Sequence, residues 1–204
     1  MPAPPSLTTR LLTPRLELRA LKTRDVPALY QALKSNAEHL RSFSPAPAAA
    51  DRRVTLTSVA REVAGWRSRW RSGDTYALFA WPREETPPKI IGRITLGRIT
   101  RGAFQNAYLG YWVDKERAGQ GIATEGVHAA LEFAFGTLAL HRVQAGVMPH
   151  NQRSIRVLEK NGFRREGFAE RYLQIAGRWE DHAIFAITAE EMGFPARTES
   201  AVSS

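Results

Sequence analysis

Apolar residues follow two different periodicities on either side of a glycine-containing turn in the second half of the chain. Before the turn, every second residue of 107–113 is apolar, as in a half-buried strand. After it, apolar residues recur at helical spacing, at Val127, Leu131, Phe135 and Leu138. Gly119 and Gly121 lie two residues apart between the two runs. The pattern predicts a strand, a turn and a helix in direct succession.

Periodicity and turn residues also predict most of the remaining elements. They indicate strands at 15–20, 76–81, 90–99 and 142–147, helices beginning at Thr23 or Asp25 and at Asn151, a tryptophan-bearing helix over 54–71, a loop at 43–48, and a closing hairpin that turns at Ala176-Gly177. A central antiparallel run followed by a strand–helix–strand unit is typical of an α/β fold with a mixed sheet.

Composition is that of one globular domain. The 204 residues are 43% hydrophobic and 24% charged, which suits a single core. No apolar run approaches the length needed to cross a bilayer, and the first six residues lack the features of a secretory signal. We therefore expect a cytoplasmic protein. The absence of cysteine excludes disulfides, thiolate nucleophiles and cysteine-ligated zinc, so any acyl transfer needs direct attack or another nucleophile.

The formal net charge of +9 raises the alternative of a polyanionic partner such as RNA. Within 54–71, however, the arginines spread around an apolar stripe, as on a solvated helix face; the stripe consists of Val59, Val63, Trp66 and Trp70. No basic motif interleaved with aromatic residues accompanies the charge. We therefore expect no nucleic-acid partner. A basic surface would equally suit a ligand with several phosphates.

The glycine turn predicts an anion site. Backbone N–H groups at a helix start have no intrahelical partner and carry the positive end of the helix dipole, and glycines let a ligand approach them closely. The segment 117–126 has the sequence RAGQGIATEG, which fits such a phosphate-binding turn. A turn that only bends the chain between a strand and a helix would show the same spacing.

Two further blocks accompany this turn: VMPHNQRSIRVLEKNGF at 147–163 and YLQIAGRWEDH at 172–182. Together the three blocks resemble the GNAT acetyltransferase superfamily and, within it, the RimJ/RimL type. The resemblance covers roughly residues 12–192. It implies a single N-acetyltransferase domain over 12–192, between a flexible N-terminus (1–11) and a flexible C-terminal tail (193–204). The implied sheet is mixed and mostly antiparallel, with about seven strands, a splayed central strand pair and flanking helices.

The resemblance implies acetyl-CoA as co-substrate and no metal. The family motif is Arg or Gln, two residues, Gly, one residue, then Gly or Ala, and it maps to Ala118, Gly121 and Ala123. The chain departs from it at Ala118, which offers no side-chain donor, and the neighbouring Arg117 is the alternative donor. The implied coenzyme-binding residues are Tyr111, Trp112, Val113, Arg117, Ala118, Gly119, Gln120, Gly121, Ile122, Ala123, Thr124, Asn151 and Ser154.

Ser154 and Asn151 are the predicted catalytic positions. The resemblance implies a hydrogen bond from Ser154 to the coenzyme sulfur, and if Asn151 caps the helix, Ser154 lies one turn further on nearly the same face. Local structure explains a serine in a first turn and an asparagine cap equally well. The base stays open between Glu125, Asp181 and His182. As neighbours on a strand, Asp181 and His182 would point to opposite faces.

The resemblance further implies an acceptor: the α-amino group of a protein N-terminus, as in ribosomal-protein-alanine acetyltransferases, with a ribosomal protein as candidate partner. The protonation states of the two kinds of amine favour the same acceptor. At pH 7 about one tenth of an α-amino group is neutral and can attack, but less than about a thousandth of a lysine side chain is. Small amines or antibiotics are the first alternative acceptors. A basic, non-catalytic adapter that binds RNA or ribosomes is the second alternative. The protein would be a monomer or a homodimer.

Overall fold

The computed structural model describes residues 3–41 and 54–195. Along the chain it contains β1 (Arg10–Leu12), β2 (Leu16–Arg19), α1 (Val26–Ser35), α2 (Ala37–Arg41), α3 (Leu56–Ser72), β3 (Tyr76–Pro82), β4 (Gly92–Thr100), β5 (Asn106–Val113), α4 (Ile122–Glu132), β6 (Arg142–Val147), α5 (Gln152–Lys160), β7 (Arg164–Ile175) and β8 (Arg178–Thr188). The loop predicted at 43–48 and the predicted tail beyond residue 195 lie outside the described residues.

The strands form one mixed sheet in the order β1-β2-β3-β4-β5-β6-β8-β7. All neighbouring pairs are antiparallel except β5 and β6, which are parallel. The predicted α/β fold is confirmed, with eight strands in the described residues instead of about seven. The additional strand is β1, which begins within the segment 1–11 that was expected to be flexible. A three-residue edge strand is too short to produce a periodic signal.

Local sequence signals place several helix and strand ends. The Thr55 hydroxyl caps α3 by accepting a hydrogen bond from the Ser58 backbone N–H at 3.1 Å. Ala176-Gly177 joins β7 to β8 with positive φ at both residues, as a tight hairpin requires.

The helix after the glycine turn differs from the prediction: α4 ends earlier, and Phe133–Thr137 forms a π-helical turn that continues the apolar pattern. Leu138 closes it by donating to the Phe133 oxygen at 2.9 Å.

Helices cover both faces of the sheet and divide the core into two clusters. Ile94 packs with Val127 of α4 and Leu158 of α5 on one side. Phe79 packs with Val63 of α3 in a smaller cluster on the other side. Since side chains alternate along a strand, neighbouring residues of β4 and β5 belong to different faces. No helix in the described part of the chain is both long and apolar enough to span a bilayer.

Candidate active site

The two parallel strands at the centre of the sheet separate from each other. β5 and β6 pair only where Asn106–Tyr108 runs beside Arg142–Gln144. Beyond this point β5 continues to Val113 in contact with β4, while β6 continues to Val147 in contact with β8. The second edge of β5 therefore has no strand partner there, and its backbone N–H and C=O groups can pair with an extended ligand.

A cleft of ≈ 440 Å³ occupies this opening and the space beside the starts of α4 and α5. Its described lining contains all but one of the residues predicted to bind the coenzyme: Tyr111, Trp112, Val113, Arg117, Ala118, Gly119, Gly121, Ile122, Ala123, Thr124, Asn151 and Ser154. Gln120 is the exception, because it is exposed and its Nε2 donates to the Glu116 backbone oxygen at 2.9 Å.

The glycine turn presents open backbone to the cleft. Gly119 and Gly121 have φ of 82° and 79°, a left-handed conformation that favours glycine. Gly121 is the N-cap of α4, so the N–H groups of the first helical turn begin at the cleft wall. A Cβ atom built on Gly119 would meet no protein atom within 4 Å. The turn can therefore bind an anion through its backbone.

The position that departs from the family motif has no direct side-chain substitute. Ala118 lines the cleft without a donor. Arg117 also lines it, but its guanidinium donates to Glu85 Oε2 at 2.8 Å. The Glu85 carboxylate also lies 3.7 Å from Lys89 Nζ. In this structure Arg117 is thus beside the turn but paired with a carboxylate.

Three cations on α5 line the cleft and were missed by the sequence reasoning. Arg153, Arg156 and Lys160 all border it. Their spacing of three and four residues places them on one helix face, and that periodicity was available in the sequence. They line the same cleft as the glycine turn, and their positive charge would stabilise a phosphate bound there.

Glu125, one of the candidate bases, is held by residues near the N-terminus. Its Oε1 accepts hydrogen bonds from Thr13 Oγ1 at 2.5 Å and from the Arg15 backbone N–H at 2.9 Å, and its Oε2 accepts one from Arg15 Nε at 2.6 Å. Partial burial acts to raise the pKa of Glu125, but these bonds outweigh it and lower the pKa below its ordinary value. Arg15 Nη1 also donates to the Gln120 backbone oxygen at 2.8 Å. Thr13, Arg15 and Glu125 thus hold the glycine turn in place, and we call these contacts the clamp. A carboxylate with a lowered pKa is a weak base.

Ser154 and Tyr111 meet across the opening of the sheet. Asn151 is the N-cap of α5 as predicted, with Oδ1 accepting from the Ser154 backbone N–H at 3.1 Å. The Ser154 hydroxyl lies 2.7 Å from the Tyr111 hydroxyl, which also lies 3.1 Å from the Ser154 carbonyl oxygen. Burial raises the pKa of Tyr111 to about 12, against the smaller opposing effect of the hydrogen bond with Ser154. Tyr111 therefore stays protonated and can donate to Ser154 at neutral pH.

The remaining candidate bases lie in the β7–β8 hairpin and do not form a dyad. Asp181 Oδ1 accepts from the Arg171 backbone N–H at 2.8 Å, in an irregular stretch of β7. His182 is buried, its Nδ1 lies 2.9 Å from the Glu180 oxygen, and its ring packs beside Tyr172 at 5.4 Å between centroids. Neither lines the cleft among the described residues. The β8 register puts His182 one residue beyond the last pair of β6 with β8, which joins Val147 and Ala183.

Comparison with known proteins agrees with this architecture. Residues 15–164 match the acetyltransferase (GNAT) domain family. The chain belongs to the GNAT acetyltransferase family. It is 36% identical over 170 residues to the probable N-acetyltransferase YjcK of Bacillus subtilis (strain 168), which covers 83% of this chain and 92% of that protein. The ribosomal protein uS5-alanine N-acetyltransferase of Escherichia coli (strain K12) is 31% identical over 189 residues, 89% of this chain and 92% of that protein.

A solved structure shows the same relationship. Mycobacterium smegmatis RimJ in complex with CoA-disulfide has a TM-score of 0.80 and 34% identity, over 87% of this chain and 83% of that chain. The predicted likeness to RimJ/RimL enzymes is confirmed. The protein is therefore an acetyl-CoA-dependent acyltransferase, which leaves no support for the non-catalytic adapter.

The residues of the cleft fit acetyl-CoA. The backbone of the glycine turn and the α5 cations suit its phosphates, and the unpaired edge of β5 suits an extended arm with amide groups. Within 3–41 and 54–195, no group of three or more His, Cys, Asp or Glu side chains is placed to hold a metal ion.

Proposed function

We propose that this enzyme acetylates the α-amino group of a protein N-terminus, as ribosomal-protein-alanine acetyltransferases do, and that it acts in the cytoplasm. The observation that carries the proposal is the likeness of the chain to a ribosomal-protein-alanine acetyltransferase, and the described lining of the cleft, which contains no Asp or Glu, agrees with it. Deprotonating a lysine would require a strong base, whereas an α-amino group with a pKa near 8 has a usable neutral fraction at pH 7. The uS5-alanine relative from Escherichia coli supports the same acceptor class.

The chain's own residues would hold the coenzyme at three places. Backbone N–H groups after Gly119 and at the start of α4 would bind the pyrophosphate. Arg156 and Lys160 would offset further phosphate charge from α5. The open edge of β5 would align the extended arm so that it ends near Tyr111 and Ser154. Acetyl-CoA supplies the acetyl group as a thioester, which the amine attacks directly.

Ser154 would assist the departure of the sulfur by donating a hydrogen bond. When the Tyr111 hydroxyl donates, either to the Ser154 hydroxyl at 2.7 Å or to the Ser154 carbonyl oxygen at 3.1 Å, the Ser154 hydroxyl can donate its own proton to the sulfur. Asn151 holds the first turn of α5 in place by capping it. Because Tyr111 remains protonated at neutral pH, both hydroxyls of the pair carry a proton that they can donate. This arrangement serves leaving-group stabilisation and places no demand on a carboxylate.

The acceptor would enter from the face opposite α4 and α5. The β7–β8 hairpin forms one wall of that side, where Tyr172 packs on His182 and Trp179 has 63% of its surface exposed. Aromatic side chains of this kind provide contact area for a peptide at low conformational cost. His182 would be a proton acceptor for this side, whereas Asp181 is bound to the β7 backbone.

A matched pair of peptides tests the proposal. One begins with a free alanine and carries an internal lysine, and the other is identical but blocked at its N-terminus. We expect CoA release from acetyl-CoA with the first peptide only. Release with both peptides would show side-chain acetylation and contradict the α-amino assignment. Release with neither, together with turnover on small amines, would assign the enzyme to the small-molecule class instead.

A further inference from the structure

The sheet face that carries α3 contains an arginine whose side chain makes no hydrogen bond with the residues that the structure describes. Arg93 lies on the central strand β4, in register with Phe79 of β3 and Trp112 of β5. Its Nε is buried and makes no hydrogen bond with the described residues. The carboxylate paired with it is that of Glu62, and Glu62 Oε1 is 3.8 Å from Arg93 Nη1, beyond hydrogen-bond distance.

A second guanidinium stands beside the first. Arg69 and Arg93 have their Cζ atoms 4.3 Å and 4.9 Å from the centroid of the Trp66 ring. The Trp66 indole N–H donates to Glu62 Oε1 at 3.1 Å, so the carboxylate is shared. Within 3–41 and 54–195, two cations therefore face one anion. Burial lowers the pKa of Arg93, and the nearby Arg69 lowers it further against the opposing effect of Glu62. An additional anion would improve the electrostatic balance of this cluster.

The cluster is partly exposed on the sheet face that carries α3. The side chains of Arg93 and Glu62 are 26% and 36% exposed. On the adjacent strand, Gly110 is exposed, and a Cβ built there would meet no atom within 4 Å. Gly110 pairs with Thr95, two residues along β4 from Arg93, where β5 has already left β6. Arg93 and the open position at Gly110 therefore lie on adjacent strands, close to the point where β5 separates from β6.

The distance between Gly110 and Arg93 suggests what could bind there. Two residues along a strand span about 6.8 Å and neighbouring strands are about 4.8 Å apart, so the Cα atoms of Gly110 and Arg93 are roughly 8 Å apart. An extended peptide covers about 3.4 Å per residue. A reacting α-amine near Gly110 would thus bring the side chain of the second or third residue to Arg93.

We propose that Arg93, with Arg69 beside it, is a carboxylate-binding subsite for the acceptor peptide. The enzyme then prefers N-termini that carry an acidic residue at the second or third position. Trp66 orients both guanidiniums and excludes water from one side, which strengthens a charge-assisted hydrogen bond to a carboxylate. This inference rests on the proposed acetylation of protein N-termini.

The first test compares acceptors. Peptides beginning Ala-Glu or Ala-Ala-Glu are measured against the same peptides with Gln in place of Glu. We expect kcat/KM to favour the Glu peptides by about tenfold or more, the value of one charge-assisted hydrogen bond. Arg93→Gln should remove the preference and leave CoA affinity unchanged. Arg93→Lys should retain part of it, because it keeps the charge but loses the planar fork. Arg61→Gln, which removes an exposed charge from the same helix as Arg69, is the matched control and should behave like the wild type.

A second measurement does not depend on turnover. Binding of the N-acetylated product peptides is followed through the fluorescence of the tryptophans next to Arg93. Tighter binding of the Glu product than of the Gln product, with the difference lost in Arg93→Gln, would support the subsite. If neither free peptide is acetylated, that failure would count only against the proposed acceptor class. Equal binding of the Glu and Gln products by the wild type, or a preference that survives in folded Arg93→Gln, would overturn the subsite and leave the proposed function standing.

Discussion

Replacing Gly119 by alanine tests whether the glycine turn is the phosphate cradle, and the chain provides a matched control in Gly177. Their φ values are 82° and 83°, and a Cβ at either position would meet no protein atom within 4 Å. The left-handed conformation costs an L-residue roughly 1–2 kcal/mol. Gly119→Ala and Gly177→Ala should therefore lower the free energy of unfolding equally, by roughly 1–2 kcal/mol. For a chain of this size that is a melting-temperature decrease of roughly 2–8 °C.

Only one of these two methyl groups would lie in the cleft. Gly119 is part of its lining, whereas Gly177 lies in the β7–β8 turn. The new methyl at 119 would separate a phosphate from the backbone N–H groups. Loss of one charge-assisted hydrogen bond, about 1.5–3 kcal/mol, corresponds to roughly 10- to 150-fold weaker binding. Calorimetric titration of CoA into the wild type and both variants measures this. A folded Gly119→Ala protein that binds CoA as tightly as Gly177→Ala would refute the phosphate-cradle assignment.

Three further predictions address the other parts of the site. Ser154→Ala should lower kcat by about 10²-fold with unchanged CoA affinity, and intact turnover in steady-state assays would remove Ser154 from the mechanism. Glu125→Gln should lower the free energy of unfolding by about 1–3 kcal/mol at pH 7. Because the pKa of Glu125 is lowered in the folded protein, the difference in free energy of unfolding between the wild type and this variant is present above about pH 4.3 and is lost as the pH falls further. Urea unfolding that gives the same difference at pH 7 and at pH 3 would contradict the clamp. Arg156→Gln combined with Lys160→Gln should weaken CoA binding and reduce its salt dependence, whereas Arg61→Gln should change neither.

Features that depend on neighbouring residues were predictable from the sequence. The glycine turn, the Asn151 cap and the Ala176-Gly177 hairpin each involve residues within a few positions of one another, and all three form as expected. The local backbone geometry of these segments follows from the presence of glycine or of a short polar side chain. The same locality explains why the α5 cations could have been found from their spacing alone.

Contacts between distant segments were not predictable from these patterns. Thr13 and Glu125, which form one side of the clamp, are 112 positions apart. From the sequence, Glu125 was a candidate base. The sequence did not reveal that Thr13 and Arg15 bind its carboxylate, because nothing in the first turn of a helix identifies a distant partner. Tyr111 and Ser154 are 43 positions apart, and their hydrogen bond depends on the separation of β5 from β6.

The sequence by itself determined the α/β class, the strand–turn–helix unit and the family motif, because hydrophobic periodicity and backbone preference act over a few residues. The tertiary structure decided which charges meet. The sheet brings distant residues together. It thereby decides that the Glu125 carboxylate binds Arg15, and that the Arg93 Nε makes no hydrogen bond with the described residues. Hydrogen bonds and ion pairs act only over a few ångströms, so their partners are set once strand order and register are set.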